Sequence, residues 1–367
     1  MIPALRSFAD RIHRWILTGS ADTGFESFAL ELFQLQVRSN SAYRRYVEVL
    51  GLDPARVESA GDIPAVPTQA FKELDMTSLP PSQRTRVFHS SGTTAQKPSR
   101  HFHGPESLAL YEASAVEGFR RSFWGGGGIG NIPPSRWHSL SLTPSPQEAP
   151  HSSLVHMIEC VGRGALGNRT TYLGRVDAAG VWDVDLDATS RLLEEVSAEG
   201  TPVALYGTAF HFVHLIEGWD RLGRSVILPP GSRVMETGGY KGRCREWSRM
   251  ELRAGMSRVL GVRPEGLVGE YGMSELSSQG YEVRNGSEPE GVGFVFPPWA
   301  LALVIDPETG RRAGEGEPGL VRVLDLANVW SVMAVQTEDR GVCRGGVLEI
   351  LGRAPAAEPR GCSLMAA

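Results

Sequence analysis

The sequence predicts an α/β protein with a parallel sheet and a smaller β-rich lobe, and three observations support this prediction. Short apolar segments alternate with helical segments between about residues 139 and 272, which is the usual pattern of parallel strands joined by crossover helices. The first 50 residues show helical periodicity instead. From about residue 293 the pattern changes to short strands joined by Gly/Pro turns, and these strands predict the lobe.

The elements can be assigned in order along the chain. Helices are predicted where apolar residues recur every three or four positions, and strands where a short apolar run is bounded by turn residues. The predicted helices are 5–17, 26–38, 41–50, 105–122, 152–163, 188–199, a helix that follows residue 207 and runs through 219, and 245–256. The predicted strands are 139–145, 202–207, 232–239, 266–272, 301–306, 319–325 and 330–336.

The composition excludes several classes of protein. The 367 residues carry a net charge of −5 without a basic block or basic helix face, which argues against electrostatic binding of nucleic acid. No apolar run approaches the ~18 residues of a membrane span, and the N-terminal segment predicts an amphipathic helix that docks on the protein. The four cysteines are widely separated, so they predict neither a disulfide framework nor a zinc site and favour a cytoplasmic location.

Lysine is rare in this chain. Lysine and arginine total 37, yet only Lys72, Lys97 and Lys241 are lysines. A lysine ammonium is compact, whereas an arginine guanidinium is planar. Lysine at these three positions is explained if the chemistry there requires the compact group, so the three lysines are candidate functional residues. The alternative is that these three lysines survive by chance in a GC-rich genome.

Two further patterns carry little weight. A G-x-G-x-x-G pattern at Gly125, Gly127 and Gly130 lacks the strand before it and the helix after it that a dinucleotide site requires, so a flexible glycine loop is expected. His101 and His103 lack further ligands at zinc spacing and are expected to form a surface pair.

A stronger motif runs from residue 90 to residue 97, after a strand-like segment. Small residues allow backbone N–H groups to turn inward and bind an anion, and hydroxyls and Lys97 supply further donors. The predicted phosphate-binding residues are Ser90, Ser91, Gly92, Thr93 and Thr94. The spacing is not that of a P-loop, and the alternative is a Ser/Thr-rich turn without a ligand.

A second strong motif follows the predicted strand 266–272. Tyr271 can lie flat against a nucleotide base, and Ser274 can donate to a phosphate. Glu275 can hold a Mg²⁺ ion that bridges phosphate oxygens. Gly272 and Met273 complete the predicted nucleotide-binding segment. Alone, the motif also fits any strand that ends in a turn with a buried tyrosine.

Together, in this order, the two motifs resemble those of the adenylate-forming superfamily, which uses ATP and Mg²⁺ to activate carboxylic acids. Thr337 and Asp339 resemble its T-x-D element, whose aspartate accepts hydrogen bonds from the ribose hydroxyls. Arg353 resembles the arginine that lies near the ribose in its hinge element. Gly238 and Gly239 occupy the position of its glycine turn beside the adenine.

Within that superfamily the chain resembles the acyl-protein synthetase family, the LuxE-like fatty-acid component of bacterial bioluminescence systems. The resemblance spans almost the whole chain. It rests on FQLQ with the helical N-terminus, DIPAVPTQAFK, SSGTT, TGGYKG, YGMSEL and LGRAPAAEPRGCSL. One departure is Ala95, where the superfamily loop usually has a second glycine.

The resemblance implies a division into domains. Residues 1–290 are expected to form the adenylate-forming α/β body, and residues 291–350 the β-rich lobe. Residues 351–367 are expected to form a hinge-like segment and a short tail in place of the superfamily's mobile C-terminal domain and its catalytic lysine. We therefore expect Lys97, Lys241 and Arg353 to meet the charge of the transferring phosphoryl group.

The predicted function is ATP-dependent activation of a carboxylic acid, which is expected to be a fatty acid, and transfer of its acyl group to the thiol of Cys362. The resemblance implies that this cysteine carries the acyl group, and nearby Arg360 and Arg353 can lower its pKa. The expected partner is an acyl reductase or acyltransferase. The alternatives are an acid–CoA ligase, which would not need Cys362, and a non-catalytic nucleotide-binding subunit of a reductase complex.

The acid-binding pocket is predicted between the segments 204–214 and 237–242. Gly207, Phe210 and Phe212 are its expected lining, and the two phenylalanines predict an apolar or aromatic substrate.

Overall fold

The structure, a computed structural model, describes residues 3–20, 24–90, 97–124, 136–178, 180–238, 247–284 and 292–354. Among these residues the helices are α1 (Pro3–Thr18), α2 (Phe25–Ser39), α3 (Ser41–Val49), α4 (Ala70–Glu73), α5 (Pro105–Phe119), α6 (Ser153–Val161), α7 (Leu186–Glu199), α8 (Ala209–Leu222) and α9 (Arg249–Leu260). The strands are β1 (Val66–Pro67), β2 (Arg86–His89), β3 (Arg100–His103), β4 (His138–Ser141), β5 (Thr171–Tyr172), β6 (Gly174–Val176), β7 (Trp182–Val184), β8 (Val203–Thr208), β9 (Arg233–Thr237), β10 (Leu267–Tyr271), β11 (Gly280–Arg284), β12 (Val292–Val295), β13 (Ala300–Ile305), β14 (Pro318–Asp325), β15 (Ala334–Arg344) and β16 (Val347–Arg353).

Twelve strands form one mixed sheet in the order β13-β14-β15-β16-β12-β11-β10-β9-β8-β4-β5, with β1 paired to β15. The neighbours from β5 through β4, β8 and β9 to β10 are parallel. From β10 to β13 every neighbouring pair is antiparallel. The α/β prediction with a parallel sheet is confirmed, and the predicted β-rich segment continues the same sheet.

The parallel strands are covered by helices on both faces because alternate residues of a strand point to opposite sides. In β8, Val203 and Leu205 pack with the cluster formed by α7, α8 and α9. Between them along the strand, Ala204 and Tyr206 pack with the opposite cluster, which contains residues of α5 and α6. Burial on both faces explains why these strands are continuous apolar runs in the sequence.

Local signals set the ends of the helices. The Asp185 side chain accepts a hydrogen bond from the Ala188 N–H at the start of α7. The left-handed residue Gly200 (φ 72°) ends the same helix. Ser248 and Glu251 form a capping box at the start of α9.

The first helix packs on the protein through its apolar face. Leu5, Phe8 and Ile12 are buried in a cluster that also contains residues of β13 to β15. The predicted docking of an amphipathic N-terminal helix is therefore what the structure has. Among the described residues, no helix combines the length and apolar character needed to cross a membrane.

Several predicted boundaries were wrong. The helix predicted at 105–122 ends at Phe119 and continues as a π-helical turn, Arg120–Trp124. The strand predicted at 139–145 is His138–Ser141. The strand predicted at 330–336 begins only at Ala334, because the preceding buried residues form turns and bends, and it extends to Arg344. The sequence analysis also missed β3, β5, β6, β7, β11, β12 and β16.

The prediction that two histidines of β3 form a surface pair was also wrong. His101 and His103 are 2% and 1% exposed, because both lie on the inward-facing side of β3. Burial lowers the pKa of His101 to about 4, so its ring is neutral. The sequence alone could not show which side of this short strand faces the core.

Candidate functional site

The parallel strands β8, β9 and β10 end at one edge of the sheet. Thr208, the last residue of β8, lies beside Thr237 of β9, and Thr237 lies beside Glu270 of β10. Gly238 follows β9 with φ 67°, a conformation that favours glycine, and Tyr271 ends β10. In open α/β sheets, ligands bind outside the carboxyl ends of the strands, so this edge is the candidate site.

Tyr271, Asp339 and Arg353 meet at this edge. The Tyr271 hydroxyl donates a hydrogen bond to Asp339 Oδ2 at 2.7 Å. β15 and β16 pair so that Asp339 lies opposite Arg353, whose Nε is 3.6 Å from Asp339 Oδ1. Burial and the Asp339 carboxylate raise the pKa of Tyr271 well above its ordinary value, so the phenol stays protonated and can donate. Residues predicted from three separate motifs thus meet at Asp339, which contacts both Tyr271 and Arg353.

The segment after Tyr271 contacts both ends of the predicted phosphate loop. The Ser274 hydroxyl donates to the carbonyl oxygen of His89 at 3.0 Å, and His89 immediately precedes Ser90. The His101 ring Nδ1–H donates to the carbonyl oxygen of Ser274 at 2.8 Å, and His101 lies four residues after Lys97. The flanks of the 90–97 segment and the 271–275 segment therefore converge.

The base of the 90–97 segment is closed by two hydrogen bonds between Ser90 and Ser99. The Ser99 N–H donates to Ser90 Oγ at 2.9 Å, and the Ser90 N–H donates to the Ser99 carbonyl oxygen at 3.3 Å. Lys97 Nζ lies 3.4 Å from Glu73 Oε2 in an exposed ion pair. The predicted site residues Ser91, Gly92, Thr93, Thr94, Gly239, Lys241 and Cys362 lie outside the described residues, as does the glycine segment 125–130.

Glu275 is 5% exposed, and burial raises the pKa of its carboxyl group. The positive charges of Lys72 and Arg353 lower the pKa of the same carboxyl group, which indicates that both cations lie near Glu275. A carboxylate oxygen is the type of ligand that Mg²⁺ prefers, so the donor fits the predicted ion. Gly272 allows the backbone of this turn to pass close to the Glu270 side chain, because a Cβ at this position would lie 2.4 Å from Glu270 Oε1.

The residues predicted to bind the acid fall into two groups. Phe212 is fully buried in the core beside Gly207, where a Cβ on the glycine would lie 3.0 Å from the phenylalanine ring. Phe210 is half-buried on another face of α8, with its ring beside His214. The structure brings Gly207 and Phe212 together, whereas the recorded ring contacts of Phe210 are with His211 and His214. A role for these residues in acid binding stays a prediction.

The sequence analysis missed the buried carboxyl groups of Glu282 and Glu270 and their hydrogen-bond partners. Glu282 accepts hydrogen bonds at 2.7 Å from both Arg249 and Arg253. Glu270 accepts a hydrogen bond from the Thr237 hydroxyl, and burial raises its pKa to about 7. The available signal was a single acidic residue inside an otherwise apolar strand, as in the segment LVGEY of β10.

Comparison with known proteins agrees with these findings. The sequence profile of the family described as "Acyl-protein synthetase, LuxE" matches residues 160–367, which is more than half of the chain. A long-chain-fatty-acid–luciferin-component ligase of Vibrio harveyi is 23% identical over 343 residues, covering 90% of this chain and 84% of the relative.

Solved structures share the fold. An open conformation of 2-hydroxyisobutyryl-CoA ligase, in complex with 2-HIB-AMP and CoA, superposes with a TM-score of 0.63 at 17% identity, over 88% of this chain and 73% of the other. The same enzyme in its thioesterification state gives a TM-score of 0.63 at 17% identity, over 95% and 68% of the two chains. The fold is thus that of the adenylate-forming enzymes, and the chain belongs to the acyl-protein synthetase (LuxE) family.

Proposed function

We propose that this protein activates a carboxylic acid with ATP, forming an acyl-adenylate, and then transfers the acyl group to the thiol of Cys362. Membership of the acyl-protein synthetase family supports acyl activation. The single observation that carries the proposal is that the residues flanking the 90–97 segment contact the 271–275 segment at the carboxyl edge of the sheet.

The contacts at this edge suggest a role for each described residue. Asp339 retains acceptor capacity for two ribose hydroxyls, because a carboxylate has about four lone-pair sites and Tyr271 uses only one. The Tyr271 hydroxyl holds the Asp339 carboxylate in place, and this hydrogen bond also keeps the Tyr271 ring at the site. Arg353, whose side chain is 80% exposed, supplies positive charge on the open side. Lys97, at the end of the phosphate loop, has the reach and charge to bind a phosphate.

Glu275 is the residue that we expect to hold Mg²⁺. When bound to phosphate oxygens, this ion offsets the charge that develops on departing pyrophosphate. The positive charges of Lys72 and Arg353 near Glu275 favour the ionised carboxylate that the ion requires.

The second step is nucleophilic attack by a thiolate. The Cys362 sulfur would attack the carbonyl carbon of the acyl-adenylate, and the bond from that carbon to the phosphate oxygen would break to release AMP. The thiol proton is released to solvent before the attack, because the thiolate is the nucleophile. The name of the Vibrio harveyi relative supports a long-chain fatty acid as substrate, with an acyl reductase or acyltransferase as the expected recipient.

Intact-protein mass spectrometry tests the proposal directly. After incubation with ATP, Mg²⁺ and either myristate or phenylacetate, we expect the mass to rise by one acyl group, and hydroxylamine should remove this group because a thioester is labile to it. Cys362→Ser should abolish loading, whereas the control Cys343→Ser should load normally.

Three results would contradict the proposal. Loading of Cys362→Ser would place the acyl group on another residue. Formation of acyl-CoA by Cys362→Ser when CoA is added would favour an acid–CoA ligase. Absence of ATP–pyrophosphate exchange with every acid would favour a non-catalytic nucleotide-binding subunit.

Substitution of Asp339 tests the nucleotide site without removing Cys362. Asp339→Asn keeps an oxygen for the Tyr271 hydroxyl but loses the negative charge and acceptor capacity. Because a hydrogen bond to a charged group contributes about 1.5–3 kcal/mol, we expect kcat/KM for ATP in pyrophosphate exchange to fall roughly 10- to 100-fold. Asp306→Asn, an exposed turn carboxylate, is the control. Equal exchange by the two variants would remove Asp339 from the nucleotide site.

A further inference from the structure

A second group of chemically reactive side chains lies between α5 and α6. Glu112 of α5 and His156 and Cys160 of α6 each offer one ligand atom, and these atoms all lie within 4.8 Å of one another. His156 and Cys160 are four residues apart on one helix, so they share a face. The His156 ring Nε2–H donates to Glu112 Oε1 at 3.0 Å.

We propose that Glu112, His156 and Cys160 bind one zinc ion, or a divalent transition-metal ion with the same ligand preference, with water in the fourth position. An imidazole nitrogen, a thiolate and a carboxylate are all established zinc ligands. Binding would move the His156 proton from Nε2 to Nδ1 and release the Cys160 thiol proton to solvent. The nitrogen–sulfur–oxygen donor set differs from the all-oxygen set that Mg²⁺ prefers, so this site is distinct from the predicted magnesium ligand.

The distances suit a zinc ion after a small adjustment. Zinc binds nitrogen and oxygen at about 2.0–2.2 Å and sulfur at about 2.3 Å, so two ligand atoms in a tetrahedral site are roughly 3.3–3.8 Å apart. The separation of His156 Nε2 from Glu112 Oε1 is already slightly shorter than this, and no pair exceeds 4.8 Å. Rotation of the half-exposed Glu112 side chain can supply the remaining adjustment.

Neighbouring side chains hold the ligands in place. The His156 ring packs between Phe88 and Tyr111, with centroid distances of 5.3 and 5.7 Å. Glu159, adjacent to Cys160, accepts a hydrogen bond from the Tyr172 hydroxyl at 2.8 Å. Glu159 is therefore held away from the cluster by its own partner, and the orientation of His156 is largely set before an ion binds.

The site is open on one side. The His156 side chain is 15% exposed and that of Glu112 is 43% exposed, so an ion can enter from solvent. The described residues supply three ligands, and three protein ligands with an open fourth position are typical of exchangeable or catalytic zinc, whereas structural sites are closed by four.

The proposed ion would lie close to the nucleotide edge. α6 begins at Ser153, whose carbonyl oxygen accepts a hydrogen bond from the Tyr111 hydroxyl of α5 at 3.0 Å. Ser153 Oγ lies 3.4 Å from Ser274 Oγ in the predicted nucleotide-binding segment. An ion that links α5 to α6 would therefore stiffen a helix pair that contacts this segment.

Metal binding is best tested on the tag-free, full-length protein after treatment with a chelator and dialysis. Titration with zinc alone, followed by calorimetry, should show one site with a dissociation constant of about 1 μM or below. Titration with Co²⁺ should produce a near-ultraviolet band from thiolate coordination together with visible bands typical of tetrahedral cobalt. Neither readout depends on acyl activation.

Variants identify the ligands. Loss of a residue that merely supports a ligand costs about 10- to 100-fold in metal affinity, so loss of a ligand should cost at least as much. We expect this loss in Cys160→Ser and Glu112→Gln, and Cys160→Ser should also lose the thiolate band. Cys343→Ser and Glu159→Gln should bind normally, since neither residue belongs to the cluster.

If Cys160→Ser fails to fold, Glu112→Gln still tests the metal site, since the half-exposed Glu112 side chain tolerates an amide. Binding weaker than about 0.1 mM in the wild-type protein would leave Glu112, His156 and Cys160 as a hydrogen-bonded group without a metal, and would overturn the proposal. Unchanged zinc affinity in both ligand variants would overturn it equally, because the ion would then lie elsewhere.

Discussion

At the residue scale, Glu270 shows how burial changes the chemistry of a side chain. It is 6% exposed at the end of β10, and desolvation raises its pKa from 4.5 to about 7. The Thr237 hydroxyl donates to it and partly offsets the desolvation, whereas Glu236 adds to the rise. The folded protein thus binds a proton here at pH values where the unfolded chain has released it.

This difference predicts a pH dependence of stability. Because the folded pKa is raised, the contribution of Glu270 is fully present below about pH 4.5 and is lost as pH rises to about 7. Glu270→Gln keeps an acceptor for Thr237 and cannot ionise, so at pH 8 it should be more stable than the wild type by about 2 kcal/mol relative to their difference at pH 5. Urea unfolding at both pH values measures this. The exposed Glu195→Gln is the control, and equal pH profiles for wild type and Glu270→Gln would contradict the argument.

At the element scale, a buried carboxylate joins the loop that follows residue 275 to the antiparallel half of the sheet. Asp325, the last residue of β14, is fully buried and accepts hydrogen bonds from the N–H groups of Ser277, Ser278 and Ala327 and from the Ser278 hydroxyl, at 2.7–3.0 Å. Ser277 and Ser278 follow the 271–275 segment closely, whereas Ala327 lies in the turn after β14. The carboxylate therefore fixes the loop relative to β14.

We expect Asp325→Asn to lower the free energy of unfolding by about 2–4 kcal/mol. The amide nitrogen of asparagine cannot accept a hydrogen bond, so donors on one side of the side chain would be left buried without a partner. Ser278→Ala removes one of these hydrogen bonds and the hydrogen bond between the Ser278 and Ser114 hydroxyls, and it should cost about 1–2 kcal/mol. Urea unfolding followed by circular dichroism compares the two, and a smaller loss for Asp325→Asn than for Ser278→Ala would show that the loop is held by other contacts.

At the scale of the whole molecule, the two ends of the described chain share one core. Phe33 and Tyr43 of the N-terminal helices belong to the same cluster as Trp299 and Val323 of the late strands. Gln36 is 1% exposed, and its amide donates to the Asn328 carbonyl oxygen at 2.7 Å. The division into domains at residue 290 stays a prediction. The shared core contains residues from both sides of this boundary.

The shared core predicts that residues 1–290 do not fold alone, because the N-terminal helices would lose the apolar surface that covers them. A chain ending at residue 354 retains every strand of the sheet and should unfold cooperatively. Thermal unfolding of the two chains, followed by tryptophan fluorescence, compares them. A cooperative transition in 1–290 would instead support the proposed domain division.

Local patterns in the sequence predicted the parts of the protein that local forces decide. Alternating apolar strands and helices were enough for the parallel strands β4, β8, β9 and β10, because each of these elements carries its own hydrophobic pattern, and the two-residue strand β5 was missed. The short strands β11 and β12 were missed because each is defined mainly by its pairing with a neighbour.

The parallel α/β pattern, the family resemblance and the two motifs at the candidate site can all be found in the amino-acid sequence. Three findings required the folded protein: the Tyr271 hydroxyl reaches Asp339, His101 is buried, and Glu112 meets His156 and Cys160. Burial and side-chain contact depend on residues that are far apart in the chain. Propensity and periodicity report only on neighbours within a few positions.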